Sequence, residues 1–376
     1  MKVNLLLLTR QWRQIKNEAL SEIKKVCSTQ RLILGENVRA LEEEIAGYCG
    51  VRHGIGVASG SDAIRLSLMA LGVGKDALVA TTPFTFFSTA GEIAALGARP
   101  VFVDIDPLTY NIDPERLESV LKKDRARRIK AVIPVHLYGQ CADMSRIKAV
   151  TGDYGLRIIE DAAQSIGACY KGRMAGSMGD AGCISFYPTK NLGGFGDGGM
   201  VVTDSLRTAD KIRMLRVHGS KIRYYHTEVG VNSRLDELQA AILRVKLKYL
   251  DGWAEKRREN ARRYDRLLDE AGLSGNIVPP YIATTNVSVF NQYVVRAKKR
   301  GGLRAYLKAK GVSTEIYYPV PLHLQKCFGY LGCKRGDFPV SEKAARETLA
   351  LPVYPELRKR EIEYVVSAIS DFYSGG

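Results

Sequence analysis

The chain has 376 residues, 45% hydrophobic and 26% charged, which excludes a disordered or fibrous polypeptide and is long enough to bury a core without disulfides or structural metals. The longest apolar run near its start, residues 5–8, is too short for a membrane span or a signal peptide, so a cytoplasmic protein without a membrane partner is expected. The net charge of +16 is divided among separate clusters at 122–130, 256–263, 296–300 and 358–360 with no nucleic-acid signature between them, which reads as a solvated basic surface or one suited to a phosphate-bearing small substrate.

Apolar residues at helical spacing predict a helix over 37–48, after which comes the glycine-rich stretch Gly54-Ile-Gly56-Val-Ala-Ser-Gly60. Further helices are predicted over 61–71, 87–96, 114–121, 144–154 and 205–216, and strands over 78–82, 100–103, 129–135, 157–159, 182–186 and 199–203. Alternating elements of this kind imply a mainly parallel sheet covered by helices on both faces, with ligands at the carboxyl ends of the strands. A long helical pattern follows over 236–271, interrupted only at Gly252 and stopped by Gly272. Beyond it, segment 287–296, a helix over 303–310 and a strand-like run over 313–318 predict a second, smaller α/β unit. The chain therefore divides into a large domain, 1–250, and a small C-terminal domain, 251–376.

Seven cysteines lie scattered without a CxxC pair, which fits reduced thiols; Cys327 and Cys333 lack the second ligand pair of a zinc site, and no metal is expected. The spacing of Gly54 to Gly60 is not GxGxxG, and the strand at 78–82 ends in Thr-Thr-Pro rather than an acidic residue, which weakens a nicotinamide oxidoreductase. What remains is Ser59-Gly60-Ser61-Asp62 at a helix start. Free N–H groups and the positive end of the helix dipole suit a phosphate there, although Ser61 would look the same if it simply capped the helix. Next comes an apolar strand ending in Glu160-Asp161, with Gln164 just beyond. An isolated Asp is commonly a turn residue, but this one sits where a cofactor of such a sheet would lie. Finally, Lys190 leaves a strand end and enters a loop with five glycines. A lysine desolvated in such a loop becomes a nucleophilic amine, and one left on the surface does not.

Taken together, Glu-Asp-Ala-Ala-Gln at 160–164, Ser-Phe-Tyr-Pro-Thr-Lys-Asn-Leu-Gly at 185–193, Gly-Asp-Gly-Gly at 196–199 and Asn-Ser-Arg-Leu-Asp-Glu at 232–237 resemble the sugar aminotransferases of the DegT/DnrJ/EryC1/StrS family. The resemblance covers roughly residues 30–370, with the four motifs in order. It implies the α/β architecture of fold type I enzymes that use pyridoxal 5′-phosphate (PLP). By that similarity Lys190 is the Schiff-base lysine and proton shuttle, and Asp161 pairs with the pyridine nitrogen so that the ring can act as an electron sink. Gln164 would bond the ring hydroxyl and Phe86 would stack on the ring. Gly60, Ser61 and Ser185 would hold the phosphate, together with Asn232 from a neighbouring subunit, which implies a homodimer with shared active sites.

Because Lys190 is present, where dehydratases of the family carry histidine, the resemblance implies transamination: L-glutamate leaves its amino group on the cofactor, and a nucleotide-linked keto sugar takes it. Gly-Asp-Gly-Gly resembles members that aminate C3, with a UDP-linked 2-acetamido-3-keto-hexuronate or a dTDP-3-keto-6-deoxyhexose as acceptor. Tyr317-Tyr318-Pro319 stands where the hexuronate enzymes carry His-Tyr-Pro, which weakens the first acceptor. Arg234, Tyr317, Tyr318 and His323 are the candidates for gripping the sugar nucleotide. Two alternatives stay open, a C4 aminotransferase of a 4-keto-6-deoxy sugar and a PLP-binding regulator without turnover.

Overall fold

The computed structural model describes residues 1–375. Seven strands form the central sheet: β1 (His53–Val57), β2 (Leu78–Thr81), β3 (Arg99–Phe102), β4 (Ile129–Ile133), β5 (Arg157–Asp161), β6 (Ala181–Ser185) and β7 (Gly199–Thr203). Their order is β1-β7-β6-β5-β4-β2-β3. The five strands from β6 to β3 are mutually parallel, and β7 runs antiparallel to both β6 and β1. Successive side chains of a strand face opposite sides, so Ile159 enters the core shared with Leu66, Ile93 and Ile212, while Ile158 enters the core shared with Val132 and Ile147. Helices cover both faces, and the parallel strands deliver their carboxyl ends to one rim.

The glycine-rich stretch before Ser59 is strand β1. A Cβ on Gly54 would stand 2.4 Å from the carbonyl oxygen of Glu42, and one on Gly56 would stand 3.1 Å from Leu235 Cβ. Those glycines let neighbouring segments approach the edge of the sheet.

An N-terminal helix, α1 (Leu8–Thr29), was not visible in the pattern, because its buried face includes Gln11 along with Ile15, Ala19 and Val26. It is followed by α2 (Glu36–Cys49), α3 (Gly60–Ala70), α4 (Phe87–Ala95), α5 (Pro114–Lys123), α6 (Met144–Gly152) and α7 (Leu206–Leu215). The long pattern over 236–271 is two helices, α8 (Glu237–Leu247) and α9 (Leu250–Glu270). The break falls at Lys248-Tyr249 rather than at Gly252. Tyr249 is pinned there by stacking on Trp253, ring centroids 5.6 Å apart, and by donating its hydroxyl to Glu18 of α1. Gly252 continues the helix.

A three-stranded antiparallel sheet, β8 (Ile277–Val278), β9 (Tyr293–Ala297) and β10 (Thr348–Leu351), packs with α9 and with α10 (Arg300–Ala309) and α11 (Lys359–Ser374) in a second core. Ala261, Tyr264 and Leu268 of α9 belong to this core, and so does Val3, which pairs with Val312 and carries the N-terminal tip across to the smaller unit. Residues 313–318 form no regular strand. A single bridge joins Glu315 to Ala350, and the Tyr317 carbonyl accepts the hydroxyl of Tyr138 instead of a sheet partner.

Candidate active site

At the carboxyl rim, beyond β5 and β6, lies a cavity of about 620 Å³. Its wall brings together Gly60, Ser61, Phe86, Asp161, Gln164, Ser185, Lys190, Tyr317 and Tyr318, which the sequence disperses over 259 positions (60 to 318). A wider groove of about 950 Å³ lies at the opposite end of the strands, beside Arg157, Gly179 and Asp180, with ion pairs such as Arg157–Asp180 along it. The chemistry belongs to the smaller cavity because the amine and the strand-end carboxylate meet there.

The helix start is built as an anion cradle. Ser59, not Ser61, caps α3, its Oγ accepting from the Asp62 N–H at 3.1 Å. Ser61 is therefore free of capping, and its hydroxyl lies 2.7 Å from that of Ser88. A Cβ on Gly60 would stand 2.7 Å from Ser185 Cβ, so the bare backbone of residue 60 is what allows α3 and the end of β6 to close around a small anion.

Asp161 is buried at the end of β5, where it lines the cavity. Its Oδ2 accepts the hydroxyl of Thr89 at 2.7 Å and its Oδ1 the N–H of Ala163 at 3.2 Å. Glu160, on the other face, is consumed by structure: His136 Nε2 lies 2.8 Å from it, and the N–H groups of Gly176, Met178 and Gly179 donate to it. Alternation along the strand thus leaves Asp161 alone for the cavity.

Burial lowers the Lys190 amine to about 8, the negative charge of Asp161 acting in the opposite sense. The loop that presents it is anchored from α8. Gln239 Oε1 accepts the Phe195 N–H at 2.7 Å, and the buried Lys246 donates to the Gly193 carbonyl. Phe86 is 57% exposed at the entrance, its ring 6.2 Å from that of Tyr318, so it forms a wall of the cavity and no part of the core. Gln164 accepts the Tyr138 N–H at 2.8 Å and donates to the Tyr318 hydroxyl at 3.0 Å, which leaves its amide one further hydrogen to donate.

Three expected residues do not line this cavity. His323 is buried, with Nε2 3.2 Å from Glu342 and its ring against Phe338. Asn232 is exposed and Arg234 partly exposed, both just before α8 and outside the cavity of their own chain. Thr89 and Ser88 join the site without any motif to mark them. Both sit in the first turn of α4, the helix that follows β2 after a five-residue loop, and that placement was a signal available in the pattern.

The donor set fits pyridoxal phosphate: a desolvated primary amine for its aldehyde, a buried carboxylate for its ring nitrogen, an exposed aromatic face for the ring and a Cβ-free cradle for the phosphate. Fold and site define an α/β aminotransferase built around that cofactor. The chain belongs to the DegT/DnrJ/EryC1/StrS aminotransferase family, whose model matches residues 13–370.

Among its relatives, a "Pleiotropic regulatory protein" of Geobacillus stearothermophilus is 52% identical over 99% of both chains. The UDP-2-acetamido-2-deoxy-3-oxo-D-glucuronate aminotransferase of Pseudomonas aeruginosa is 42% identical over 97% of this chain and 98% of its own. Among solved structures, S. venezuelae DesV in complex with a ketimine intermediate superposes with a TM-score of 0.93 at 38% identity, covering 99% and 98% of the two chains. Among the described residues no helix is long and apolar enough to cross a membrane.

Proposed function

We propose that the protein transfers the amino group of L-glutamate to C3 of a keto nucleotide sugar, either a UDP-2-acetamido-3-keto-hexuronate or a dTDP-3-keto-6-deoxyhexose. The observation that carries the reading is the Lys190 amine, held near 8 in one cavity with the Asp161 carboxylate. Relatives named for 3-oxo or 3-amino sugars, at 41–43% identity, support C3 over C4.

When bound, pyridoxal phosphate supplies an electron sink for the donor's Cα carbanion and a carrier for its amino group. The chain supplies the rest. Lys190 Nζ takes the proton from the donor's Cα and returns one to the acceptor carbon, which an amine with a lowered pKa does near neutrality. Asp161, oriented by Thr89, keeps a proton on the ring nitrogen. Phe86 and Tyr318 exclude water from one side. Tyr317, Tyr318, Arg234 and His323 remain the candidates for the sugar nucleotide, and of these the two tyrosines reach the cavity within one chain.

The working unit in this reading is a homodimer whose Asn232 completes the partner's phosphate cradle. Beside Asn232, the exposed hairpin Ser220–Ile222/Tyr225–His226 carries Ile222, Tyr224 and Tyr225 into solvent, apolar surface that a second subunit would cover. The reaction is placed in the cytoplasm, which suits cysteines that are all unpaired. A regulator without turnover is the second reading, favoured by the printed name of the Geobacillus relative and opposed by the intact lysine. The test is a reaction of the purified enzyme with glutamate and each 3-keto sugar nucleotide, with the amino sugar and its position read by NMR. An amino group at C4 corrects the regiochemistry, and no product from any acceptor favours the regulator.

A further inference from the structure

Beside the catalytic cavity lies a second pocket of about 120 Å³, walled in part by Leu6, Arg257 and Asn291. Thr189, Gln292 and Tyr317 line both spaces, so the two meet next to the loop that carries Lys190. Arg257, on α9, is 4% exposed, and its Nη1 donates to the carbonyls of Val353 at 2.9 Å and Phe290 at 3.1 Å. A guanidinium carries five N–H donors in a planar fork, so these bonds leave donors for a ligand. Burial pulls its pKa down to about 10, with Glu356 acting against that fall. On the same wall, Asn291 Oδ1 and Gln292 Oε1 are buried without a hydrogen-bond partner. Buried polar atoms are ordinarily paired, and a half-turn of either amide presents its NH2 instead.

We propose that this pocket is a carboxylate subsite in which Arg257 pairs with the side-chain carboxylate of the dicarboxylic amino donor, while the amides of Asn291 and Gln292 complete its hydrogen bonding. The pocket has room for a carboxymethyl end. Seated there, the donor spans Thr189 and Tyr317 and leaves its α-amino group on the Lys190 side. The assignment rests on glutamate being the donor, and it explains how one cavity accepts a small dicarboxylate and a bulky sugar nucleotide in turn: the donor alone uses the buried cation.

Calorimetric titration of the cofactor-loaded protein with glutarate, and separately with D-glucuronate, tests the subsite without turnover. Glutarate is expected to bind, and Arg257→Met to weaken it by about 30-fold or more, the usual consequence of removing one partner of a buried charge pair. Since Arg257 also ties α9 to two backbone segments, Leu6→Phe serves as a second variant that fills the pocket from the other side with the guanidinium intact. It too is expected to weaken glutarate binding. Glutarate that fails to bind the wild type, or binds all three proteins alike, overturns the proposal, and glucuronate bound in glutarate's place reassigns the pocket to the sugar's carboxylate and overturns the donor assignment. If glutarate behaves as expected while L-glutamate leaves the cofactor's absorption unchanged, the subsite stands and the glutamate-donor reading falls.

Discussion

Gly60→Ala places a methyl group where the structure already has Ser185. The added Cβ would stand 2.7 Å from Ser185 Cβ, 3.1 Å from its Oγ and 3.2 Å from its Cα. Ser185 closes a buried strand in register with Gly199, so rotation of its side chain cannot relieve a contact with Cβ; the backbone of α3 or β6 has to shift. Overpacking of this kind costs about 1–3 kcal/mol, which at 1.4 kcal/mol per decade is roughly 5- to 150-fold in an equilibrium constant. The shift opens the gap between the helix start and Ser185, so the loss falls chiefly on affinity for pyridoxal phosphate. Titration of the apo-protein with the cofactor, followed by fluorescence, measures it, and melting of the apo-protein shows how much falls on the fold. A dissociation constant within about twofold of wild type, together with an unchanged melting temperature, refutes the cradle at Gly60.

Thr89→Val removes the hydroxyl held 2.7 Å from Asp161 Oδ2, and the loss of one charge-assisted hydrogen bond is expected to lower kcat by about tenfold or more with the acceptor KM little changed; steady-state kinetics decide it. Asn232→Ala is expected to speed loss of the cofactor on dialysis without lowering the apo-protein's melting temperature, and unchanged retention argues against a contact across subunits. Because the folded Lys190 amine titrates near 8, below its ordinary value, the free nucleophile grows as pH rises toward 8 and is saturated above it. Stopped-flow capture of the cofactor by apo-protein is therefore expected to accelerate by about tenfold per pH unit below 8 and then level off, with Lys190→Ala showing no such rise.

Much of this site was legible because its parts follow directly from strand ends. Asp161 is the last residue of an apolar strand, and Lys190 follows the next one, so a parallel sheet brings them to the same rim whatever the loops do. Where the pattern was silent, tertiary contacts decided: Gly54 and Gly56 answer to neighbours at 2.4 Å and 3.1 Å that no local spacing reveals, and the break at Tyr249, not at Gly252, follows from Trp253 and Glu18. Helix α1 was invisible because a buried Gln11 interrupts its apolar stripe. Ser59 and Ser61 are equally good caps by residue type, and only the hydrogen bond to Asp62 separates them. That His323 packs against Phe338 and Glu342, away from the cavity of its own chain, leaves no local mark in the sequence.

The central claim is that one lysine carries the cofactor, and two in this chain have amines lowered to about 8, Lys190 and the buried Lys246. Borohydride reduction of the cofactor-loaded protein, followed by peptide mapping by mass spectrometry, distinguishes them. The account predicts a single pyridoxyl-phosphate adduct, on Lys190. An adduct on Lys246, or none on either lysine, would contradict it.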